Sequence, residues 1–448
     1  MKRKERQMKN LAKTVCAAVL AAAMTLPMLA GCAAGGNRST TVSGGTEVAN
    51  TTGTTEGTVM TMPIKTEPTP EDIAEGAKTN KYALAGKELC ERIISDYYVS
   101  RTHMVRAEPK SSDAAFVWAY GAFLEALADT LRIYPDDENI KATYIDALTN
   151  GISAYRVRVS NLKTPAGSFR NITYYNAGRG GSGDYYYDDN AWICYQFLTA
   201  YELLGDKQYL DRAIELLEFF ETGIDDVLGG GVYWDKSFGS KNTCSNGPIS
   251  VCFLWAHQLT GEQKYFDIGK SIFDWMNKKL LDGSLYSDSI GVNGNVNGWK
   301  SDYNQGTPLY AACLLYEITG DTSYRSRANK IANAAKGLCF NVSGTGDNRK
   351  VGMNGNPIYK SWCVAWLMRG FMKYVQISGR PGVYFEYMEQ VLDNNESTRD
   401  KRGYYDPYFK TGDWGGENKN DVLQPSGVAS VYMICARFDI CIAEYLKG

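Results

Sequence analysis

Two adjacent aspartates, Asp188 and Asp189, are the strongest candidates for chemistry in this chain of 448 residues. They follow a glycine-rich stretch at 178–183 and lie among aromatic residues. Apolar residues then recur with helical spacing, which predicts an amphipathic helix beginning at or near the pair: Ile193, Phe197, Ala200 and Leu204. A pair of carboxyl groups is the minimum needed to hydrolyse a glycosidic bond, because one protonates the leaving oxygen and the other attacks or stabilises the sugar.

The acidic pair also has a purely structural interpretation. Acidic residues at a helix start complement the helix dipole, and Asp-Asp occurs again at 136–137 and 225–226. In favour of catalysis, consecutive Cα atoms are ~3.8 Å apart, so the two carboxyls reach the ~5–5.5 Å of a retaining pair more easily than the ~6.5–9.5 Å of an inverting pair. Mutual repulsion would raise one pKa and leave the other group ionised. Spacing alone does not assign the two roles.

Three later loops combine aromatic, amide and acidic residues. This mixture suits a carbohydrate, because flat rings stack on the CH faces of sugars while Asn, Gln and Asp bond hydroxyl groups. Packing in the core and helix capping are the structural alternatives for the same residues. The loops read Gly229-Gly230-Gly231-Val232-Tyr233-Trp234-Asp235, Lys241-Asn242-Thr243-Cys244-Ser245-Asn246-Gly247 and Asp302-Tyr303-Asn304-Gln305-Gly306.

Histidine and cysteine usage excludes several other kinds of site. The chain has only two histidines, His103 and His257, which argues against Ser–His catalysis and against a metal site ligated by several histidines. No Cys-x-x-Cys occurs, and the Asp/Asn/Gly-rich stretch at 293–297 lacks the EF-hand pattern. We therefore expect neither a metal nor a cofactor.

The N-terminus predicts export and a lipid anchor. A basic segment precedes an apolar run from Val15 to Leu29, which is typical of a signal peptide over residues 1–31. The run ends in Leu29-Ala30-Gly31-Cys32, which resembles the lipobox of bacterial lipoproteins and implies lipidation of Cys32; a simple secreted protein is the alternative. Residues 32–80, rich in Ser, Thr and Gly, are expected to form a flexible tether. The predicted location is therefore extracytoplasmic, at the cell surface or on the membrane.

Cleavage after residue 31 would change the net charge of the chain and the number of cysteines that remain. Losing residues 1–31 removes six Lys/Arg and one Glu and changes the net charge from −2 to −7, which argues against nucleic acid as a partner. Of the 11 cysteines, Cys16 leaves with the signal peptide and Cys32 would carry lipid. The other nine lie mostly in apolar contexts and are expected to be buried free thiols, with an occasional disulfide not excluded.

The rest of the chain repeats a helix–turn–helix signature. Tyr201-Glu202-Leu203-Leu204-Gly205-Asp206 closes one helix and opens the next, and similar turns centre on Gly261, Gly320 and, more loosely, Gly379. Each glycine suits the left-handed C-terminus of a helix, and an acid follows the first three where the next helix would start. A repeat of about 58 residues over 81–448 gives close to six hairpins. The predicted fold is all-α, an (α/α)6 barrel, with an open solenoid as the alternative.

These motifs together resemble glycoside hydrolase family 76, the endo-α-1,6-mannanases. The resemblance spans nearly the whole of the predicted domain, and it implies an (α/α)6 barrel that cleaves the α-1,6-mannan backbone with retention. By this resemblance Asp188 is the nucleophile and Asp189 the general acid/base. The implied substrate-binding residues are Tyr187, Trp192, Trp234, Asp235, Lys241, Asn242, Asn246, Asp302, Tyr303, Asn304, Gln305 and Lys360. The family reads Phe-Lys-Gly where this chain reads Tyr359-Lys360-Ser361, so subsite details there can differ.

Two other functions remain open from the sequence. A transglycosylase on the same fold would differ only in whether water or a sugar accepts the glycosyl unit. A glycan-capturing lipoprotein without catalysis is a different class, and the intact Asp188-Asp189 pair argues against it. The expected partner is an α-mannan polysaccharide or oligosaccharide.

Overall fold

The computed structural model describes residues 68–181, 183–354, 361–378, 382–409 and 419–447. The predicted signal peptide, the lipidation site Cys32, most of the predicted tether, Lys360 and Gly379 lie outside these residues. Among the residues described, no helix has both the length and the apolar character needed to span a bilayer.

Helices dominate the described part of the chain. In order they are α1 (Pro70–Ala77), α2 (Lys81–Tyr97), α3 (Val117–Leu131), α4 (Glu138–Asp146), α5 (Tyr187–Leu204), α6 (Lys207–Glu221), α7 (Thr243–Thr260), α8 (Gln263–Lys279), α9 (Tyr303–Thr319), α10 (Thr322–Cys339), α11 (Ser361–Ser378), α12 (Gly382–Asn395) and α13 (Leu423–Lys447).

Six of these helices close into a ring. Each of α3, α5, α7, α9, α11 and α13 packs against the next, and α13 returns to pack against α3. The even-numbered helices from α2 to α12 pack around them as an outer layer. Five hairpins follow the chain order, and the sixth pair joins α2 to α13. This closed arrangement confirms the predicted (α/α)6 barrel and excludes an open solenoid.

Burial explains which helices lie inside. Inner helix α7 is buried without interruption from Thr243 to Ala256, as a helix surrounded by others requires. Outer helix α6 buries one face only, at Tyr209, Leu210, Ala213, Leu216, Leu217, Phe219 and Phe220. The predicted turns between inner and outer helices are confirmed, since Gly205, Gly261 and Gly320 all have positive φ at the helix ends.

Short strands lie in the loops at the face of the barrel where the inner helices begin. They are β1 (Tyr98–Val99), β2 (Met104–Val105), β3 (Arg156–Lys163), β4 (Phe169–Tyr175), β5 (Ser240–Asn242), β6 (Leu281–Asp282), β7 (Leu285–Tyr286), β8 (Ser289–Gly291), β9 (Val296–Asn297), β10 (Phe340–Ser343) and β11 (Lys350–Met353). All pairings between them are antiparallel. β3 and β4 form the hairpin before Asp188, and β5, β8 and β9 form a small sheet after Trp234. These strands give the loops at this face a fixed shape.

One helix lies inside the predicted tether. Helix α1 begins with Thr69 and Asp72 in a capping box and with Pro70 at its first position, which is a recognisable start signal in the sequence. It packs against α13, where Gly76 lies against Ile440. The tether predicted for residues 32–80 is therefore shorter at its C-terminal end.

The cysteines behave as predicted. None of the nine that the structure describes forms a disulfide, and eight of them are buried.

Candidate active site

Asp188 and Asp189 occupy the first turn of inner helix α5, as the sequence predicts. Both are partly accessible to solvent at the end of the barrel where the inner helices begin, and we call the surface around them the cleft. The backbone N–H of Tyr187 donates to the carbonyl of Trp234 at 2.8 Å, so the start of α5 is tied to the loop that carries this tryptophan.

A buried asparagine fixes the start of α5. Asn190 accepts a hydrogen bond from the backbone N–H of Tyr175 at 2.7 Å and donates to the carbonyls of Tyr175 and Tyr186. Because Tyr175 ends strand β4 and Tyr186 precedes α5, one side chain joins strand, loop and helix. This bonding satisfies backbone groups that burial would otherwise leave unpaired.

Asn246 and Gln305 repeat this arrangement at the starts of α7 and α9. The Asn246 side-chain oxygen accepts from the backbone N–H of Val232 at 2.7 Å, and its amide nitrogen donates to the carbonyls of Val232 and Asn242. The Gln305 side-chain oxygen accepts from the backbone N–H of Tyr286 at 2.7 Å, and its amide nitrogen donates to the carbonyls of Tyr286 and Ser301. Three successive inner helices thus use the same amide clamp to hold the loops of the cleft.

The Trp234 loop places an indole against the first carboxyl. Tyr186 and Asp235 form an antiparallel bridge, and the backbone N–H of Trp234 donates to the carbonyl of Ser240. The Trp234 ring lies 5.2 Å from the Tyr186 ring, and its Nε1 donates to Asp188 Oδ2 at 3.0 Å. Trp234 therefore both lines the cleft and bonds the candidate nucleophile.

The two carboxyls have different surroundings. Asp188 accepts hydrogen bonds from Trp234, from the Cys244 thiol and from the backbone N–H of Asp189 at 3.0 Å. Within the part of the chain described, the Asp189 carboxyl accepts no hydrogen bond and has Asp188 as its charged neighbour. Hydrogen bonds to the ionised form favour it, whereas a nearby like charge disfavours it.

The pKa values follow from these surroundings. Burial raises the pKa of Asp188 to about 6, and its three donors oppose this rise. Burial and the Asp188 charge raise the pKa of Asp189 well above its ordinary range. The hydrogen bonds to Asp188 therefore favour its ionisation over that of Asp189, an arrangement suited to one carboxylate and one carboxylic acid.

A third carboxylate, Asp288, shares Cys244 and Tyr303 as neighbours with Asp188 and was not among the predicted residues. It accepts hydrogen bonds from Ser289 Oγ at 3.1 Å, Asn297 Nδ2 at 3.2 Å and Asn304 Nδ2 at 3.1 Å. Burial raises its pKa, and its charge acts on Cys244, which also bonds Asp188. Its position in the glycine-rich loop at 283–298 is the one feature of the sequence that could have indicated a place near the active site.

Four predicted residues lie at or directly behind the cleft surface. Tyr303 is partly exposed and feels the charges of Asp188 and Asp288, and Asn304 holds Asp288 from behind. Asn242 is half-buried and accepts from Ser240 Oγ at 2.7 Å, and Asp235 accepts from the backbone N–H of Ser237 at 2.9 Å.

Several other predicted substrate contacts are buried instead. Tyr187 stacks on Phe219 at 4.7 Å, and Trp192 packs against Trp362 and Trp366 in the barrel interior. Lys241 is fully buried and gives its ammonium protons to Asp225, Val227 and Gly230. With the clamps Asn246 and Gln305, these side chains support the cleft from behind, and their burial argues against direct contact with a substrate.

Asp302 is also buried. Within the described residues neither of its carboxyl oxygens has a hydrogen-bond partner, and burial raises its pKa well above the ordinary range. Lys360, the remaining predicted contact, lies outside the described residues.

The other two Asp-Asp pairs have structural roles. Asp137 caps α4 and pairs with Lys87, and Asp225 pairs with Lys241. Among the three pairs, 188–189 is the one that opens an inner helix at the cleft. In the described part of the chain no cluster of His, Cys, Asp or Glu could hold a metal ion.

The fold and sequence match known proteins. A family 76 glycoside hydrolase from a bovine Bacteroides thetaiotaomicron strain superposes with a TM-score of 0.71 at 24% identity, covering 81% of this chain and 79% of that one. The GH76A α-1,6-mannanase from Salegentibacter sp. HEL1_6 gives a TM-score of 0.62 at 23% identity over 80% of this chain and 100% of that one.

Sequence relatives match over a shorter stretch. The mannan endo-1,6-α-mannosidase DCW1 of Candida glabrata is 30% identical over 130 residues, which are 26% of this chain and 29% of that protein. The chain thus matches less than a third of the length of this relative. The model of glycosyl hydrolase family 76 matches residues 82–372, which span the Asp188-Asp189 pair and most of the barrel. The chain therefore belongs to glycosyl hydrolase family 76.

Proposed function

We propose that this protein is a retaining glycoside hydrolase that cleaves the α-1,6-linked backbone of mannan, with Asp188 as nucleophile and Asp189 as general acid/base. The observation that carries the proposal is the contrast between the two carboxyls: three donors stabilise the ionised form of Asp188, while Asp189 has a charged neighbour and no donor among the described residues. A nucleophile must be ionised and an acid must be protonated, and these surroundings favour that assignment.

The substrate is inferred from similar proteins. The relatives in Candida glabrata and Saccharomyces cerevisiae are mannan endo-1,6-α-mannosidases. A Salegentibacter α-1,6-mannanase was solved with α-1,6-mannotriose as an inactive variant in which two consecutive aspartates were replaced. Asp188-Asp189 is the consecutive pair at the cleft of this chain, which supports the same bond as its target.

The reaction divides into two displacements. In the first, a carboxylate oxygen of Asp188 attacks the anomeric carbon, the glycosidic bond breaks and Asp189 gives its proton to the departing oxygen. In the second, the Asp189 carboxylate takes a proton from water, the water oxygen attacks the anomeric carbon and Asp188 leaves as a carboxylate. Trp234 and Cys244 stabilise that carboxylate, and two inversions give net retention.

The surrounding side chains bind the sugar. Trp234, Tyr186 and Tyr303 offer partly exposed rings for stacking on pyranose faces. Asp288 is held by Asn304 and Asn297 with its carboxylate at the cleft, where it can accept hydrogen bonds from sugar hydroxyls. We assign Asp288 to the substrate-binding set in addition to Asn242, Asp235 and Tyr303.

We further propose that the protein is exported and anchored through lipid on Cys32, which places the enzyme outside the cytoplasm. The basic segment, the apolar run and Leu29-Ala30-Gly31-Cys32 support this proposal. Cys32→Ser should release the protein from membranes or block its processing. Unmodified Cys32 on a membrane-free wild-type protein cleaved elsewhere would contradict the anchor.

Product analysis tests the activity. Debranched α-1,6-mannan should be depolymerised, and other α- and β-linked polymers should not. Hydrolysis followed by NMR should release the α-anomer first, whereas early release of the β-anomer would rule out retention. Products elongated with added acceptor sugar, in place of hydrolysis, would favour the transglycosylase. Binding of mannan without turnover would favour the non-catalytic alternative.

A further inference from the structure

A second concave site lies at the opposite end of the barrel from Asp188 and Asp189. It is a cavity of about 190 Å³, and its walls come from all six inner helices. Glu202 lies in this wall, 14 residues after Asp188 on the same helix α5. At ~1.5 Å per residue the two are about 21 Å apart along the helix axis. The cavity is therefore distinct from the catalytic cleft.

Aromatic side chains fill the barrel between the two sites. Trp192 packs on Trp366 at 4.7 Å, and Trp366 packs on Tyr195 at the same distance. Tyr195 forms part of the cavity floor. Since Trp192 and Trp366 are almost fully buried, a ligand in the cavity does not reach the catalytic carboxyls.

Rings line the cavity. Trp255, Tyr195 and Tyr310 form one side, with the Trp255 ring 5.2 Å from Tyr195 and the Tyr310 ring 6.5 Å from it. Leu314 and Met433 add apolar surface. A cavity of ~150 Å³ accepts benzene, so about 190 Å³ holds one six-membered ring with substituents.

Four cations contribute to the cavity, and three of them have carboxylate partners. Arg132 pairs with Glu202 at 2.7 Å, Lys373 pairs with Glu317 at 2.8 Å, and Arg369 pairs with Asp129. These pairs are oriented groups that can bond sugar hydroxyls without adding net charge.

Arg437 is the fourth cation and differs from the others. It is partly exposed at the cavity, and it forms no ion pair with any side chain that the structure describes, which in α13 are those up to Cys441. A guanidinium without a carboxylate partner among these side chains, at the edge of an aromatic cavity, suits a ligand with one anionic group, because arginine forms two parallel hydrogen bonds with carboxylate or phosphate.

We propose that this cavity binds a hexose that carries a single anionic substituent, with the sugar ring against Trp255 and Tyr310 and the phosphate or carboxylate on Arg437. The ion-paired Arg132, Arg369 and Lys373 then face the ring hydroxyls. This site is independent of glycosidic-bond cleavage, so it remains testable whether or not the proposed substrate is correct.

Calorimetric titration of the folded wild-type protein tests the proposal. Glucose 6-phosphate and glucuronate separate a phosphate from a carboxylate as the anionic group, and glucose and inorganic phosphate represent the two halves of the ligand. At least one anionic sugar should bind at least tenfold more tightly than either half. If neither anionic sugar binds, or if inorganic phosphate alone binds as tightly, the proposed ligand class is wrong.

Variants of the cavity test whether the anionic sugar binds there. Arg437→Gln should weaken binding of the anionic sugar about tenfold or more, and Tyr310→Leu should weaken it through lost stacking. Arg101→Gln, at an exposed arginine elsewhere, is the matched control and should bind like wild type. Asp188→Asn should also bind like wild type. Binding that survives Arg437→Gln, or that Asp188→Asn abolishes, would place the ligand elsewhere and overturn the proposal.

Discussion

The indole Nε1 of Trp234 donates a hydrogen bond of 3.0 Å to Oδ2 of Asp188, across 46 residues of chain. The contact brings a loop aromatic residue and a helix-start carboxylate into one unit. It is a charge-assisted bond when Asp188 is ionised, and it favours the form that a nucleophile and a leaving carboxylate both require.

Removing this donor should therefore impair catalysis without unfolding the protein. Trp234→Phe should lower kcat/KM for α-1,6-mannan by about 10- to 100-fold, because a hydrogen bond to a charged group contributes roughly 1.5–3 kcal/mol. The pKa of Asp188 should rise, so the acidic limb of the pH profile should move to higher pH. Steady-state kinetics across pH measure both effects.

Trp275→Phe is the matched control for this variant. The Trp275 indole donates to the carbonyl of Leu228 at 3.2 Å instead of to a carboxyl. Its acidic limb should stay where the wild-type limb lies. Equal shifts in both variants would mean that the Trp234 bond has no special role.

The pH profile of the wild type should be bell-shaped. The proposed mechanism requires ionised Asp188, whose pKa is raised to about 6, so kcat/KM should fall as the pH drops through that region. The proposed mechanism also requires protonated Asp189, whose pKa is raised well above its ordinary range by burial and by the Asp188 charge, so activity should fall again at higher pH. Cys244→Ala removes a donor to Asp188 and should move the acidic limb upward, whereas Cys244→Ser should keep it closer to wild type. An acidic limb near the ordinary aspartate pKa would contradict the buried environment.

The buried ion pair between Asp225 and Lys241 should be a stability determinant. Asp225→Ala leaves the fully buried Lys241 ammonium without its carboxylate, which should cost about 3–5 kcal/mol in free energy of unfolding. Its exposed neighbour provides the control: Asp226→Ala should change stability by no more than about 0.5 kcal/mol. Denaturant titration compares the two, and equal stabilities would show that the pair is not buried in solution.

Disulfides should contribute nothing to stability. None of the nine described cysteines forms a disulfide, so adding a reductant should leave the melting temperature unchanged. Thiol titration of the unfolded, unreduced protein should find all nine reactive. A mass lower by two hydrogens per bridge under non-reducing conditions would reveal disulfides that contradict this arrangement.

The sequence predicted the fold because local signals determine its repeat. Gly205, Gly261 and Gly320 mark helix ends by backbone conformation alone, and their spacing gives the number of hairpins. The pairing of α2 with α13 joins distant parts of the chain, so no local signal could indicate it. The Asp188-Asp189 pair could be singled out as a candidate because it combines an acidic dipeptide with a helix start.

The roles of the surrounding polar residues could not be predicted in the same way. Asn246 and Gln305 have the residue types of a sugar site, yet their amides bond backbone groups that only the folded chain brings together. Asp288 was missed because it lies in a loop, and its neighbours Asn304 and Cys244 come from two separate inner helices, α9 and α7. Residue type indicates what a side chain can bond, and tertiary structure decides which partner it meets.

Chemical rescue tests the assignment of the two aspartates most directly. Asp188→Ala and Asp189→Ala should both lose turnover of α-1,6-mannan with the fold intact. On a mannoside with an activated leaving group, Asp189→Ala should still form the glycosyl-enzyme, because such a group needs little protonation, and should then stall at hydrolysis. Azide needs no general base, so it should restore turnover of Asp189→Ala and give an α-mannosyl azide. Rescue of Asp188→Ala instead, with a β-mannosyl azide as product, would contradict the assignment of Asp188 as the nucleophile.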